Sequence, residues 1–148
     1  MPTVGEPAPD FVLPNQDGER VRLSDFHGRK VILFAFPKAD TPGCNIQACG
    51  FRDEFPRATN ANAVVLGISG DTQADLKAWQ ESRNLPYDLL SDTEHKVLEA
   101  WGARRKMLGM ELPGTVRSHW VIDEDGILID EQIGISPRNS VEEALARI

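Results

Sequence analysis

Cys44 closes the segment Pro37-Lys38-Ala39-Asp40-Thr41-Pro42-Gly43-Cys44, which follows directly on the apolar run Val31-Ile32-Leu33-Phe34-Ala35-Phe36. An apolar run followed by two prolines reads as a buried strand entering a tight turn, and that turn opens a helix at or next to Cys44. A sulfur at a helix N-terminus faces unpaired backbone N–H groups and the positive end of the helix dipole, both of which favour thiolate over thiol. A free thiol with a pKa of ~8.5 is only about 3% ionised at pH 7, so such a placement changes reactivity and not merely packing.

The neighbours of Cys44 suit the same chemistry. Thr41 can aim a hydroxyl at the sulfur or at an oxygen bound beside it. Pro37 and Pro42 stiffen the turn and can shield the sulfur from bulk water, and Gly43 lets a small ligand approach the backbone closely. A thiolate, a hydroxyl and backbone donors around a small volume fit a substrate with two adjacent oxygens. Cys49, the only other cysteine, is either a second redox thiol or a small apolar residue on the same helix. Arg117 falls in an apolar strand, where a charged side chain either points to solvent or serves a site.

The elements that must carry these residues follow from periodicity and punctuation. Short strands are expected near 11–13 and 20–23 around a turn at Asn15-Gln16-Asp17-Gly18, then the buried strand 31–36 and a helix from Cys44 to about 55, ended or kinked at Pro56. A second buried strand at 63–69 precedes a helix over 73–83 capped by Thr72 or Asp71. A short strand at 87–90 and a short helix at 94–101, closed by Gly102, come next. Strands 116–122 and 127–133 form a hairpin around Asp123-Glu124-Asp125-Gly126. A last helix starts at Pro137 with Ser136 as its cap. The stretch 104–114 has neither clean period and reads as a surface loop, with Arg104-Arg105-Lys106 as a solvated cluster. This order predicts an α/β fold: a mixed central sheet with helices on both faces, a thioredoxin-like arrangement with an N-terminal β-hairpin extension.

A chain of 148 residues that is 41% hydrophobic can bury an ordinary core, so one domain spanning 1–148 is expected. The net charge of −7 argues against nucleic acid as a partner. No apolar stretch approaches the ~20 residues of a membrane span, and Met1-Pro2-Thr3-Val4 lacks a basic region followed by an apolar stretch. The expectation is a cytoplasmic chain whose two cysteines are redox-active rather than structural. His27, His95 and His119 show no ligand spacing with one another or with the cysteines, so no metal is called for.

The pattern P-x3-T-x2-C formed by Pro37, Thr41 and Cys44 resembles the active-site signature of the peroxiredoxins. The run from Phe36 through Cys49 to Phe51-Arg52-Asp53 resembles that of the bacterioferritin comigratory protein, or peroxiredoxin Q, subfamily. The similarity extends over nearly the whole chain. Its landmarks are Gly5-Glu6-Pro7-Ala8-Pro9-Asp10-Phe11, Leu23-Ser24-Asp25-Phe26, Gly67-Ile68-Ser69, Val116-Arg117-Ser118 and Val121-Ile122-Asp123. The resemblance implies that Cys44 is the peroxidatic cysteine, oxidised to a sulfenic acid by the terminal peroxide oxygen. It implies that Arg117 holds thiolate and peroxide by charge-assisted hydrogen bonds. Thr41 matches the hydroxyl donor and Pro37 the shielding proline. Cys49 matches the resolving cysteine of members that carry it on the same helix and form an intramolecular disulfide. The activity implied is reduction of hydrogen peroxide and small organic hydroperoxides without metal, haem or flavin, with recycling by thioredoxin or a similar dithiol. The expected assembly is a monomer.

On an α-helix, Cα atoms five residues apart stand roughly 8.7 Å from each other with side chains diverging by about 140°, and a disulfide tolerates at most ~7 Å. If Cys44 and Cys49 pair, the turns between them must unwind, and Gly50 lowers helix propensity there. Two other readings compete. A thioredoxin-fold disulfide reductase is disfavoured by C-x4-C in place of C-x-x-C spacing. A non-enzymatic redox sensor using the same two thiols would consume one equivalent of peroxide and stop. Two residues depart from the family pattern: His119 where Thr is usual, and Phe36 where Tyr is common.

Overall fold

A computed structural model of the chain describes residues 1–107 and 110–148, with side chains for all of these except 106, 107 and 111–113. Strands β1 (Val12–Pro14) and β2 (Arg20–Arg22) pair antiparallel as the expected N-terminal hairpin. Asn15 closes its turn, the side-chain oxygen accepting from the backbone N–H of Asp17 and Glu19 at 2.9 and 3.0 Å. A 3-10 turn at Leu23–Phe26 leads into β3 (Lys30–Ala35). Helix α1 (Pro42–Asp53) stops at Glu54, and α2 (Phe55–Asn60) restarts with Pro56 in its first turn, where a missing N–H costs nothing. Then come β4 (Ala63–Ser69), α3 (Gln73–Arg83), β5 (Asp88–Ser91) and the short α4 (Lys96–Ala100). The chain finishes with β6 (Arg104–Met107), β7 (Met110–Thr115), β8 (Ser118–Ile122), β9 (Leu128–Ile133) and α5 (Pro137–Leu145).

Local chemistry sets several of these boundaries. Thr72 rather than Asp71 caps α3, accepting from Asp75 N–H at 3.2 Å. Ser136 caps α5 by accepting from Asn139 N–H at 3.3 Å. Asn84 ends α3 in the left-handed conformation at φ 52°, which asparagine tolerates.

The central sheet runs β5-β4-β3-β8-β9, with β3, β4 and β5 parallel and β8 and β9 antiparallel to their neighbours. Ile32, Phe34 and Phe36 face a core made with α1, α2, α3 and α5. Val31, Leu33 and Ala35 face the opposite core, built from the N-terminal hairpin, the 3-10 turn, α4, Trp101 and Trp120. Burial on both faces is why β3 reads as continuous apolar sequence and not as alternation. This is the thioredoxin-like mixed sheet that the order of elements predicts. Among the described residues no helix is long and apolar enough to cross a membrane.

Two expectations are corrected. The stretch 104–114 is not a loop: β6 and β7 form a two-stranded antiparallel ribbon with a register shift between Arg104 and Lys106. Such a ribbon is not part of the central sheet, so its backbone pairing needs no period-two apolar pattern. Residues 108 and 109, which belong to the same expected loop, lie outside the described residues. The strand expected at 116–122 begins at Ser118, which leaves Val116 and Arg117 as a short link between β7 and β8.

Candidate active site

Thr41 is the N-cap of α1, extended at φ −108° and ψ 156°, and Pro42 follows within the first turn. Helix geometry leaves the N–H groups of Gly43 and Cys44 without intrahelical acceptors, and the Thr41 side chain does not cap them. Its hydroxyl donates instead to the Lys38 carbonyl at 2.8 Å and closes the loop on itself. The hydroxyl expected to face the sulfur, or an oxygen bound beside it, is here engaged within the loop.

The loop is braced from three sides. Ala39 N–H donates to Asp71 at 2.8 Å, and Asp71 also accepts from the Ser69 hydroxyl at 2.7 Å. Asp40, left-handed at φ 58°, accepts from Asn45 and from Arg83, both at 3.2 Å. Hydrogen bonds from these two groups hold the Asp40 carboxyl below its ordinary range. Asn45 in turn accepts from the Trp79 indole N–H at 2.6 Å. Phe36 packs its ring 4.9 Å from that of Trp79.

Cys44 is fully buried, and both terminal nitrogens of Arg117 lie 3.6 Å from its sulfur. The Arg117 side chain is thus turned toward the thiol. Antiparallel pairing of Ala35 with Ser118 sets the end of β3, which feeds the Cys44 loop, beside the start of β8, which follows Arg117. The Arg117 carbonyl accepts from Gly134 and Ile135 N–H at 2.9 and 3.0 Å, fixing the link to the turn before α5. A Cβ on Gly43 would stand 2.8 Å from an Arg117 terminal nitrogen. What comes close to Gly43 is therefore the guanidinium, which a methyl group there would have to displace. Pro37 is exposed at the start of the loop. Cys49 is half-buried on the same unbroken helix, and both thiols are free.

Gln47 was not among the residues singled out from sequence. Its side-chain oxygen accepts from Arg117 at 2.8 Å, and it is completely buried. The signal was available: Cys44, Gln47, Ala48 and Phe51 form the buried stripe of α1 at helical spacing, and an amide in such a stripe requires partners. Its amide nitrogen donates to Ser140 on α5 at 3.0 Å. Ser140 lies 2.9 Å from Nδ1 of His119, whose Nε2 lies 3.1 Å from Asp130. Burial pushes the His119 imidazole below its ordinary 6.5, against the opposing pull of Asp130.

A buried thiol at a helix N-terminus under a two-pronged guanidinium can stabilise a sulfur nucleophile and the charge that leaves it. Comparison with known proteins agrees. The pattern of the AhpC/TSA family matches residues 4–130. Peroxiredoxin Bcp of Bacillus subtilis is 40% identical over 144 residues, covering 96% of this chain and 92% of that protein. Peroxiredoxin Bcp of Escherichia coli is 44% identical over 124 residues, covering 82% and 80%. The crystal structure of peroxidoxin BcpB from Mycobacterium tuberculosis superposes with a TM-score of 0.89 at 35% identity, over 99% of this chain and 96% of that one. A peroxiredoxin Q variant from Xylella fastidiosa, at 20% identity and a TM-score of 0.91 over 99% and 95%, shares the fold. Family pattern, curated relatives and fold converge on one assignment: the chain belongs to the AhpC/TSA family, as a thiol-dependent peroxidase of the Bcp and peroxiredoxin Q group.

Proposed function

We propose that this chain reduces hydrogen peroxide and small organic hydroperoxides through Cys44, with Cys49 as the resolving thiol and thioredoxin or a similar dithiol as the reductant. The observation that supports the reading most strongly is the pair of Arg117 nitrogens, each 3.6 Å from Cys44 Sγ. The thiolate attacks the terminal oxygen of ROOH, the O–O bond breaks, and the alkoxide leaves and takes up a proton as ROH. Cys44 is left as a sulfenic acid. Arg117 and the first-turn N–H groups of α1 stabilise the charge that develops on the leaving oxygen. The Thr41 hydroxyl accepts from the O–H of the incoming hydroperoxide, Gly43 leaves room for the guanidinium, and Pro37 screens the pocket mouth.

Cys49 then attacks the Cys44 sulfur, water leaves, and an intramolecular disulfide forms. Because α1 is unbroken from Pro42 to Asp53, this step requires unwinding around residues 44–50. Unwinding releases Asn45 from Trp79 and Gln47 from Arg117, and frees the Ala48 carbonyl from the Tyr87 hydroxyl. The dithiol reductant opens the disulfide by exchange. The reading includes one domain over residues 1–148, acting as a monomer in the cytoplasm.

The test is peroxide consumption with thioredoxin, its reductase and NADPH. Wild type should turn over many times, Cys44→Ser not at all, and Cys49→Ser once, leaving a sulfenic acid trapped by dimedone. Consumption of a single equivalent by wild type would favour a sensor. Full turnover by Cys49→Ser would remove it as the resolving thiol.

A further inference from the structure

Behind Arg117 runs a line of buried polar groups whose hydrogen-bond directions can be deduced one after another. Arginine only donates, so Gln47 must present its oxygen to Arg117 and its NH2 to Ser140. Ser140 therefore accepts from Gln47, and its own proton needs an acceptor. The Asp130 carboxylate beside Nε2 of His119 requires the imidazole proton on that nitrogen. Nδ1 is then a bare acceptor 2.9 Å from the Ser140 hydroxyl. Arg117 donates to both Cys44 and Gln47, and from Gln47 onward each hydrogen bond is donated toward Asp130. Gln47, Ser140 and His119 have no exposed surface, and Asp130 is 5% exposed. A partner lost anywhere along the line leaves a buried polar group unpaired.

We infer that Gln47, Ser140 and His119 form a one-way relay anchored on Asp130 that positions Arg117 against Cys44, which rests on the reading of Arg117 as the group acting on that sulfur. His119 and Ser140 are positioning residues: neither touches the sulfur, and both act through the guanidinium. The relay draws its members from four elements: Arg117 precedes β8, Gln47 lies on α1, Ser140 on α5 and Asp130 on β9. The relay thus couples the geometry at Cys44 to the seating of α5 against the sheet.

The relay needs a neutral imidazole. The charged groups acting on the ring are Asp130 and Glu143, which favour its protonated form, and Arg147, which opposes it together with burial, the largest influence. A second proton would sit on Nδ1 and turn it into a donor. The Ser140 oxygen would then lie between two donors, and its own proton would have to turn to a main-chain carbonyl.

Two measurements test this. Nitrogen-15 NMR of the reduced wild type at pH 7 should show His119 protonated at Nε2 and bare at Nδ1; an Nδ1–H tautomer or an imidazolium overturns the relay. Stopped-flow oxidation of Cys44 by hydrogen peroxide should be slowed about fivefold to tenfold by Ser140→Ala, the scale of one lost hydrogen bond. In an Arg117→Met background the same change should cost less than about twofold, because the relay has nothing left to position. Equal losses in both backgrounds overturn it. An Arg117→Met protein as fast as wild type would instead overturn the role of Arg117 itself, so the two failures are distinguishable. Should Ser140→Ala not fold, the wild-type tautomer decides.

Discussion

A Cβ placed on Gly50 would stand 2.8 Å from Cγ2 of Val141, so α1 and α5 meet at this point with no room for a methyl group. Gly50→Ala offers up to about 1 kcal/mol of helix propensity, while overpacking costs about 1–3 kcal/mol. The variant should be less stable than wild type by roughly 1 kcal/mol in urea unfolding. Adding Val141→Ala to Gly50→Ala should restore part of the loss. A more stable Gly50→Ala single variant would show that the helices separate freely.

The same logic applies to Gly43, where the obstructing group is the Arg117 guanidinium. Gly43→Ala would push against an Arg117 nitrogen 2.8 Å away, and displacing a charge-assisted hydrogen bond costs ~1.5–3 kcal/mol. Cys44 oxidation should slow by about tenfold to a hundredfold, comparable to Arg117→Met. Stopped-flow rates within about twofold of wild type would show that the guanidinium moves aside without loss.

Tyr87 holds α1 at its middle. Its buried hydroxyl donates to the Ala48 carbonyl at 2.6 Å, and burial pushes the phenol well above its ordinary 10.0, so it remains a donor at working pH. Tyr87→Phe should cost about 1 kcal/mol of stability. It should also ease unwinding and so reduce conversion of Cys44 to sulfinic acid under excess peroxide. Intact-mass spectrometry reads the second effect, and unchanged or greater overoxidation would separate this hydrogen bond from the unwinding step.

Oxidation to the Cys44–Cys49 disulfide should speed amide exchange across residues 44–50 while β3 and β4 stay protected. Identical exchange in both redox states, with the disulfide confirmed, would mean that the bond forms without unwinding.

His119 makes stability depend on pH. Its folded-state pKa lies below the ordinary 6.5, so between those two values the unfolded chain binds the proton more readily. Stability is fully present above pH 6.5 and is lost as the pH falls toward the folded-state value. Urea unfolding from pH 7.5 down to 5 should show this decline, and a His119→Gln variant should show less of it. Equal slopes for the two proteins would assign the decline to other groups.

Much of the site was readable from local chemistry. The strand, loop and helix around Cys44 are contiguous, and proline, N-cap and apolar-run signals act over a few residues, so the order of elements and the placing of the thiol could be read along the chain. The caps Thr72 and Ser136 fall where their side chains predict. The tertiary structure decided what depends on register and on approach between elements. Arg117 reaches Cys44 across 73 residues only because β8 pairs antiparallel with β3. Helical spacing puts Gln47 in the buried stripe of α1, but its partners Ser140 and Arg117 come from distant segments. Gly43 and Gly50 are small because a guanidinium and a valine from distant segments press on them, and the β6–β7 ribbon shows no period because it adds no strand to the central sheet. Local signals record each residue's own backbone preferences, whereas a buried polar group or a missing side chain records a neighbour that only the closed fold supplies.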